Sequence, residues 1–248
     1  MVSINVNYNT VDLIYLNLLR SAILTHLVPN VKLISMTKKG LLISLEGGEG
    51  CGKSTQATRI KAFLEQNGYT VRIVQEPGET QIGKKIRSLL LSRKHTEMAP
   101  LTEVLLYMAA RAQLVEEIIQ PALKHHSCYA IICDRYMDSS MAYQGYARKL
   151  GLETVHQMNM AAVKGFIPDI TFFFDLKPEE GLARKNKSSH GRMDRLESES
   201  LIFHRKVRKG YQLLAKQASK RIKTIHAHKH PDEVWQEIQG YLQKLINQ

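Results

Sequence analysis

Cysteine is scarce in this chain. Its 248 residues hold three, at positions 51, 128 and 133. They form no Cys-x-x-Cys pair and no metal-ligand spacing, so a cysteine metal site or redox pair is not expected. Such sparing use fits a reducing cytoplasm. Long hydrophobic runs are missing too. Residues 11–28 are rather apolar, but Asp12, Arg20 and His26 interrupt them, which makes a poor membrane span. The start lacks the basic residues and small-residue cleavage site of a secretory signal. Repeats and long low-complexity linkers are absent. Acidic residues are outnumbered: 23 Asp and Glu stand against 35 Lys and Arg, a formal net charge of +12. That surplus favours anionic partners (nucleotides, nucleic acid or acidic membrane) without choosing among them. Residues 205–223 carry eight cations and no carboxylate, yet Val207, Leu213, Leu214 and Ala218 give the stretch an apolar side. It reads as a basic-faced helix running into a strand.

What is present is one strong motif in the right frame. Gly47-Gly48-Glu49-Gly50-Cys51-Gly52-Lys53-Ser54 fits G-x-x-x-x-G-K-S, a phosphate-binding loop. Glycines let the backbone wrap closely, so several N–H groups can point at one phosphate chain. The following helix offers its positive end to the same anion. Lys53 adds a cation near the β and γ phosphates, and the Ser54 hydroxyl is placed to hold Mg²⁺. Cys51, inside this field, is either a small tolerated residue or a thiol of lowered pKa. Before the loop, residues 40–45 form a short apolar run suited to a buried parallel strand. After it, Ile60, Phe63 and Leu64 recur at helical spacing, with Asn67-Gly68 as the stop.

The alternation continues along the chain. Strands are expected at 71–74, 129–133, 170–175 and 222–227. Helices are expected near 82–90, 100–123, 138–147, 152–164 and 231–246, with Pro121 kinking or ending the second. A basic, loop-prone segment is expected near 184–195. Five strands separated by helices imply a parallel α/β sheet with right-handed crossovers and helices on both faces, a three-layer α/β/α P-loop fold. Ligands belong at the carboxyl ends of the strands. The functional domain is expected at 36–248. Residues 1–35, with apolar positions at helical spacing, are an accessory extension or an upstream misassigned start.

Three features narrow the chemistry beyond nucleoside triphosphate binding. Asp134 ends a strand, where its carboxylate could reach the Mg²⁺ shell, through water, beside Ser54. Arg135 follows at once, placed to grip a second phosphate bidentately, with Ser139, Ser140, Tyr143 and Gln144 offering hydrogen bonds nearby. That describes an acceptor that is itself a nucleotide. No Asn-Lys-x-Asp occurs, which argues against a guanine-specific switch. A kinase for another nucleotide, a nucleic-acid-stimulated ATPase and a GTP-dependent module all remain as alternatives that share the donor loop.

In these residues the chain resembles the thymidylate kinase family. The resemblance is carried, in order, by residues 47–54, Glu76-Pro77-Gly78-Glu79-Thr80, Tyr107-Met108-Ala109-Ala110-Arg111, Asp134-Arg135-Tyr136, the 139–145 segment, Pro168-Asp169 and Asp194-Arg195-Leu196-Glu197. It implies a nucleoside monophosphate kinase fold and in-line transfer of the ATP γ-phosphoryl group to dTMP, giving dTDP for dTTP synthesis. It also implies Mg²⁺ as cofactor and a homodimer, with neither nucleic acid nor membrane as partner. Residues Gly47 to Ser54 would hold ATP. Glu49 would face the acceptor nucleotide near its sugar and phosphate. Arg87 and Arg135 would bind the dTMP phosphate, Tyr107 would stack on thymine, and Arg111, Ser140, Tyr143 and Gln144 would contact the acceptor. Two departures stand out: Gln75 and Glu79 occupy positions where many bacterial relatives have Arg and Gly. The phosphate loop has no arginine, whereas the lid holds Arg184, Lys185, Lys187, Arg192 and Arg195. The resemblance is therefore to the lid-arginine type, with Arg192 and Arg184 the leading catalytic cations beside Lys53 and Arg135.

Overall fold

Each strand of the sheet alternates its side chains between two helical layers, and that alternation places the functional loops. A computed structural model describes residues 39–125, 128–189 and 193–247. The expected extension at 1–35, the domain start at Met36 and the lid residue Arg192 lie outside the described residues. Strand β1 (Leu41–Gly47) is buried along its whole length, as a central parallel strand covered on both faces must be. It lies between β3 (Tyr129–Asp134) and β4 (Ile170–Asp175), and the sheet order is β2-β3-β1-β4-β5, all parallel. The edge strands are β2 (Thr70–Gln75) and β5 (Ile222–His226).

Leu41, Ile43 and Leu45 of β1, with Phe172 and Phe174 of β4, face α1 (Lys53–Gln66) and α9 (Pro231–Ile246). Phe173, one residue out of phase, faces the opposite layer, where it meets Val207 and Tyr211 of α8 (Leu201–Gln217). That layer also holds α2 (Gln81–Leu91), α3 (Pro100–Leu114) and α6 (Leu152–Val163). The expected three-layer fold is the observed one, and its five strands fall within a residue or two of the expected runs.

Two helical expectations need correction. Pro121 does not end the helical run that begins at Pro100. A wider π-type turn, Val115–Ile119, leads into α4 (Gln120–His125), and the chain carries on through the proline. A π turn just before proline relieves the clash that its ring and missing N–H bring to an α-helix interior. The segment near 184–195 is not a loop throughout. Helix α7 (Pro178–Ser189) takes in its first six residues, favoured by Glu179 and Glu180 in the first turn and Lys187 in the last.

Strand register brings the site together. Leu45 pairs with Asp134 on one side and with Phe172 on the other. The loop that leaves β1 and the turn that leaves β3 therefore emerge side by side at the carboxyl edge of the sheet. Residues Pro168-Asp169 serve this arrangement from the other end. Asp169 accepts the Leu42 N–H at 2.8 Å and pairs with Lys39 at 2.8 Å, fixing where β1 begins.

Candidate active site

The loop between β1 and α1 opens on a cleft of about 520 Å³, a size common for small-molecule sites. Helix α1 starts at Gly52, whose φ of 91° is one that glycine adopts without cost. No side chain caps this helix start and no acidic residue lies in its first turn. Its N–H groups and dipole thus suit an anion. Lys53 arches back over the loop and donates to Gly48 O at 2.8 Å. Ser54 and Asp134 both line the cleft. A hydroxyl and a carboxylate are the hard oxygen donors that Mg²⁺ takes, usually keeping several waters, so the residues present fit that ion.

Arg135 is held from several directions. Its backbone sits in the left-handed region, φ 72°, and its N–H donates to Leu45 O at 3.0 Å. Its guanidinium donates to Gly47 O at 2.8 Å, pairs with the Glu49 carboxylate and lies 5.3 Å from the centre of the Tyr143 ring. Burial opposes charge at Glu49, but Arg135, Lys53 and Lys185 outweigh it and hold its carboxyl down at about 2. The donor loop and the arginine of the β3 turn thus form one charged unit.

The remaining expected residues gather around the same cleft. Arg87, Tyr107, Arg111, Ser140, Tyr143, Gln144 and Arg184 all line it. Tyr107 and Arg111 share one face of α3, as their four-residue spacing expects. Arg111 is almost wholly buried, and all five of its N–H groups are matched inside the protein. Two go to one oxygen of Glu76 (3.0 and 2.7 Å), and one each to Ser140 (3.0 Å), Asn159 (2.6 Å) and Tyr136 O (3.1 Å). It is a rigid wall of the cleft, not a mobile arm. Gln144 donates to Glu103 at 2.9 Å, and Arg87 to Pro77 O at 2.7 Å. Tyr143 buries its hydroxyl without a hydrogen-bond partner among the described residues.

Of the five cations expected in the lid, four are described, and Lys187 is exposed and outside the lining of the cleft. Arg184 and Lys185 face the cleft; Arg184 donates to Ala227 O at 3.3 Å and Lys185 pairs with Glu197 at 3.1 Å. Arg195 does not face it. It is buried, paired with Glu103 at 2.6 Å and donating to Leu90 O at 2.8 Å, so it braces the scaffold. The two departures also find places. Gln75 lines the cleft, and the Glu79 carboxylate pairs with Arg72 at 3.1 Å while accepting the Gln75 N–H at 3.4 Å.

Two residues that sequence reasoning passed over belong to this neighbourhood. Glu46, directly before the loop, is a fully buried carboxylate. A charge closing an otherwise uncharged strand was the signal that could have flagged it. His204 of α8 lines the cleft with a buried Nε2 that has no partner among the described residues, and burial lowers its pKa. No local motif marks it, because its neighbours in the cleft come from distant segments.

Fold and site together define a P-loop α/β protein whose phosphate loop shares one cleft with the guanidinium of Arg135. The family model described as thymidylate kinase matches residues 45–238. A thymidylate kinase of Geobacillus sp. (strain WCH70) is 46% identical over 197 residues, covering 79% of this chain and 93% of that protein. One from Clostridium novyi (strain NT) is 42% identical over 204 residues, covering 82% and 98%. A crystal structure of thymidylate kinase from Ehrlichia chaffeensis aligns with a TM-score of 0.66 at 28% identity, over 83% of this chain and 99% of that one. The chain belongs to the thymidylate kinase family.

Proposed function

We propose that this chain transfers the γ-phosphoryl group of ATP to dTMP, giving dTDP, with Mg²⁺ as cofactor. The observation that carries this reading is that Lys53, Glu49 and Arg135 line one cleft, an arrangement that would let donor and acceptor anions meet head to head. The physical problem is their mutual repulsion. Charge spreads over the moving phosphoryl group, so alignment and cationic neutralisation carry most of the rate. No covalent enzyme intermediate is needed.

In this reading the loop from Gly47 to Ser54 cradles the ATP phosphates, and Lys53 turns from Gly48 O to the donor oxygens. Ser54, with Asp134 through water, would hold Mg²⁺, which supplies charge neutralisation on the donor phosphates. Arg135 and Arg87 grip the acceptor phosphate, while Glu49 orients Arg135 and faces the sugar. Tyr107 presents its ring face to thymine. Arg111, whose five N–H groups are already matched within the protein, backs the base as a fixed wall and would have to share one of them to bond it, with Ser140, Tyr143 and Gln144 completing that wall. Arg184, which lines the cleft, is one leading lid cation, and Arg192 is its candidate partner. Alanine at each, assayed separately, identifies which one lowers kcat.

We also infer a homodimer. Ile82 and Leu89 of α2 and Leu101 and Leu105 of α3 are large apolar side chains between 45 and 51% exposed. Each pair sits on one face of its helix by spacing, and a second copy would cover them. We place the enzyme in the cytoplasm, where ATP is abundant and its three free cysteines stay reduced. Among the described residues no helix is long and apolar enough to cross a membrane.

The test is ADP release with ATP, Mg²⁺ and a panel of dTMP, dUMP, CMP, AMP and thymidine. The reading expects the highest kcat/KM with dTMP. Preference for CMP, AMP or thymidine, or ATP hydrolysis stimulated by DNA or RNA, would overturn it.

A further inference from the structure

Beneath Arg135 lies Glu46, a carboxylate with no exposed surface. Both of its oxygens are engaged twice. Oε1 accepts from Ser44 Oγ at 2.9 Å and from the Tyr136 N–H at 2.7 Å. Oε2 accepts from Ser139 Oγ at 2.6 Å and from the Tyr211 hydroxyl at 2.8 Å. The two hydroxyls are themselves 2.8 Å apart. Tyr211 is held in place by stacking on Phe173, with ring centres 5.1 Å apart. These same hydroxyl oxygens face Arg135, whose Nη1 is 3.5 Å from Ser139 Oγ and 3.4 Å from Tyr211 Oη.

A hydroxyl has one proton and two lone pairs; an ionised carboxylate only accepts, and a guanidinium only donates. Burial and the Asp138 carboxylate raise the pKa of Glu46, while Ser139, Arg135 and Tyr211 favour its charge; with Glu46 ionised, both hydroxyl protons turn to Oε2. What remains to face Arg135 is lone pairs. Together with Gly47 O at 2.8 Å, they make a bed of three acceptors under one guanidinium nitrogen. The opposite side of the guanidinium is left to Glu49 and to the cleft. Oε1 keeps the carboxylate from turning, because the backbone N–H of Tyr136 can only donate.

Resting on the reading of Arg135 as a ligand of the acceptor phosphate, we propose that Glu46 is a positioning residue for Arg135, acting through the hydroxyl protons of Ser139 and Tyr211. The device sets the polarity of a hydrogen-bond chain rather than touching substrate. Glutamine has nearly the same shape but breaks the polarity. If its amide nitrogen takes the Oε2 place, it donates toward both hydroxyls and turns at least one of their protons toward Arg135. If it takes the Oε1 place, it opposes the Tyr136 N–H.

The test compares Glu46→Gln, Tyr211→Phe, the double variant and Arg135→Lys. KM and kcat are measured for dTMP and ATP separately, dTMP affinity by calorimetry, and folding by thermal melting. Glu46→Gln is expected to weaken dTMP about tenfold, the size of a weakened charge-assisted hydrogen bond, with KM for ATP unchanged. Tyr211→Phe should weaken dTMP by less. The double variant should lose less than the product of the two single losses, since both act through one chain. A folded Glu46→Gln enzyme with unchanged dTMP affinity, or with equal losses for dTMP and ATP, overturns the proposal. Should Glu46→Gln fail to fold, Tyr211→Phe decides: weaker dTMP binding at unchanged ATP KM supports it, and unchanged dTMP binding overturns it. Arg135→Lys loses the guanidinium fork. Unchanged dTMP affinity in that variant would overturn the reading of Arg135 itself. Weakened affinity there, with Glu46→Gln and Tyr211→Phe unaffected, would overturn only the role of Glu46.

Discussion

At the scale of single residues, function rests on charges whose surroundings decide what they do. Lys53 is bonded to a loop carbonyl and contributes no core packing beyond its stem, so Lys53→Ala should fold normally. Its turnover should fall by about 10³-fold, the usual worth of a cation on a transferring phosphoryl group; circular dichroism and kcat check the two halves. Glu76 behaves differently. Burial pushes its carboxyl up to about 7 against the pull of Arg111, and one of its oxygens is buried without a partner among the described residues. Its folded pKa lies above its ordinary value, so the folded state binds the proton more tightly. The stability this gives is present below pH 4.5 and is lost as pH rises to about 7. Glu76→Gln should therefore flatten the fall in melting temperature across that window, and an unchanged slope would assign it to other groups. Residues in or beside contiguous motifs were legible: Lys53, Ser54, Asp134 and Arg135 stand where the loop and the strand end put them. Arg195 was not, although it lies in a recognisable motif. Its partners, Glu103 and Leu90, are about a hundred positions away, and only the packed fold shows that this lid arginine is buried.

At the scale of elements, the phosphate loop and helix α7 are built as one piece. A Cβ on Gly181 would collide with the carbonyl of Glu49, and one on Gly50 with the carbonyl of Gly181. Arg184 and Lys185 lie three and four residues beyond Gly181, on the same helical face. The glycine contact thus sets how closely those cations ride over the loop. Gly181→Ala should separate the two elements and lower kcat on the order of tenfold, because misplacement of about an ångström is costly in an aligned transfer. The melting temperature should change little, since α7 can shift outward. A kcat equal to wild type would remove this coupling. The alternation of apolar runs made the strands and most helices readable, because burial on both sheet faces leaves so strong a pattern. Helix α7 was harder to place from sequence. Its mean polarity reads as a loop, and what favours the helix is charge placement at its ends together with the backbone contact at Gly181, which no side-chain periodicity records.

At the scale of the whole molecule, the net charge of +12 is what ion pairing leaves over, and most of it lies outside the cleft, where Lys53, Arg87, Arg111, Arg135, Arg184 and Lys185 stand beside Glu49, Glu76, Asp134, Asp194 and Glu197. The +12 alone does not choose among nucleotides, nucleic acid and acidic membrane; the convergence of Arg135, Glu49 and Lys53 favours the small molecule. The exposed leucines of α2 and α3 make a claim about assembly. In solution the wild-type chain should run at twice its own mass, and Leu105→Arg should shift it to monomer; light scattering after gel filtration reads both. A wild-type monomer at micromolar concentration would contradict the dimer without touching the catalytic account. The central claim is that donor and acceptor phosphates meet in one cationic cleft. The most direct measurement is a crystal structure with dTMP and a non-hydrolysable ATP analogue bound together. The account predicts the dTMP phosphate on Arg135, its ring against Tyr107, and the triphosphate in the Gly47 to Ser54 loop. Binding of dTMP elsewhere, with Arg135 still turned to Glu49 and Gly47 O alone, would contradict it.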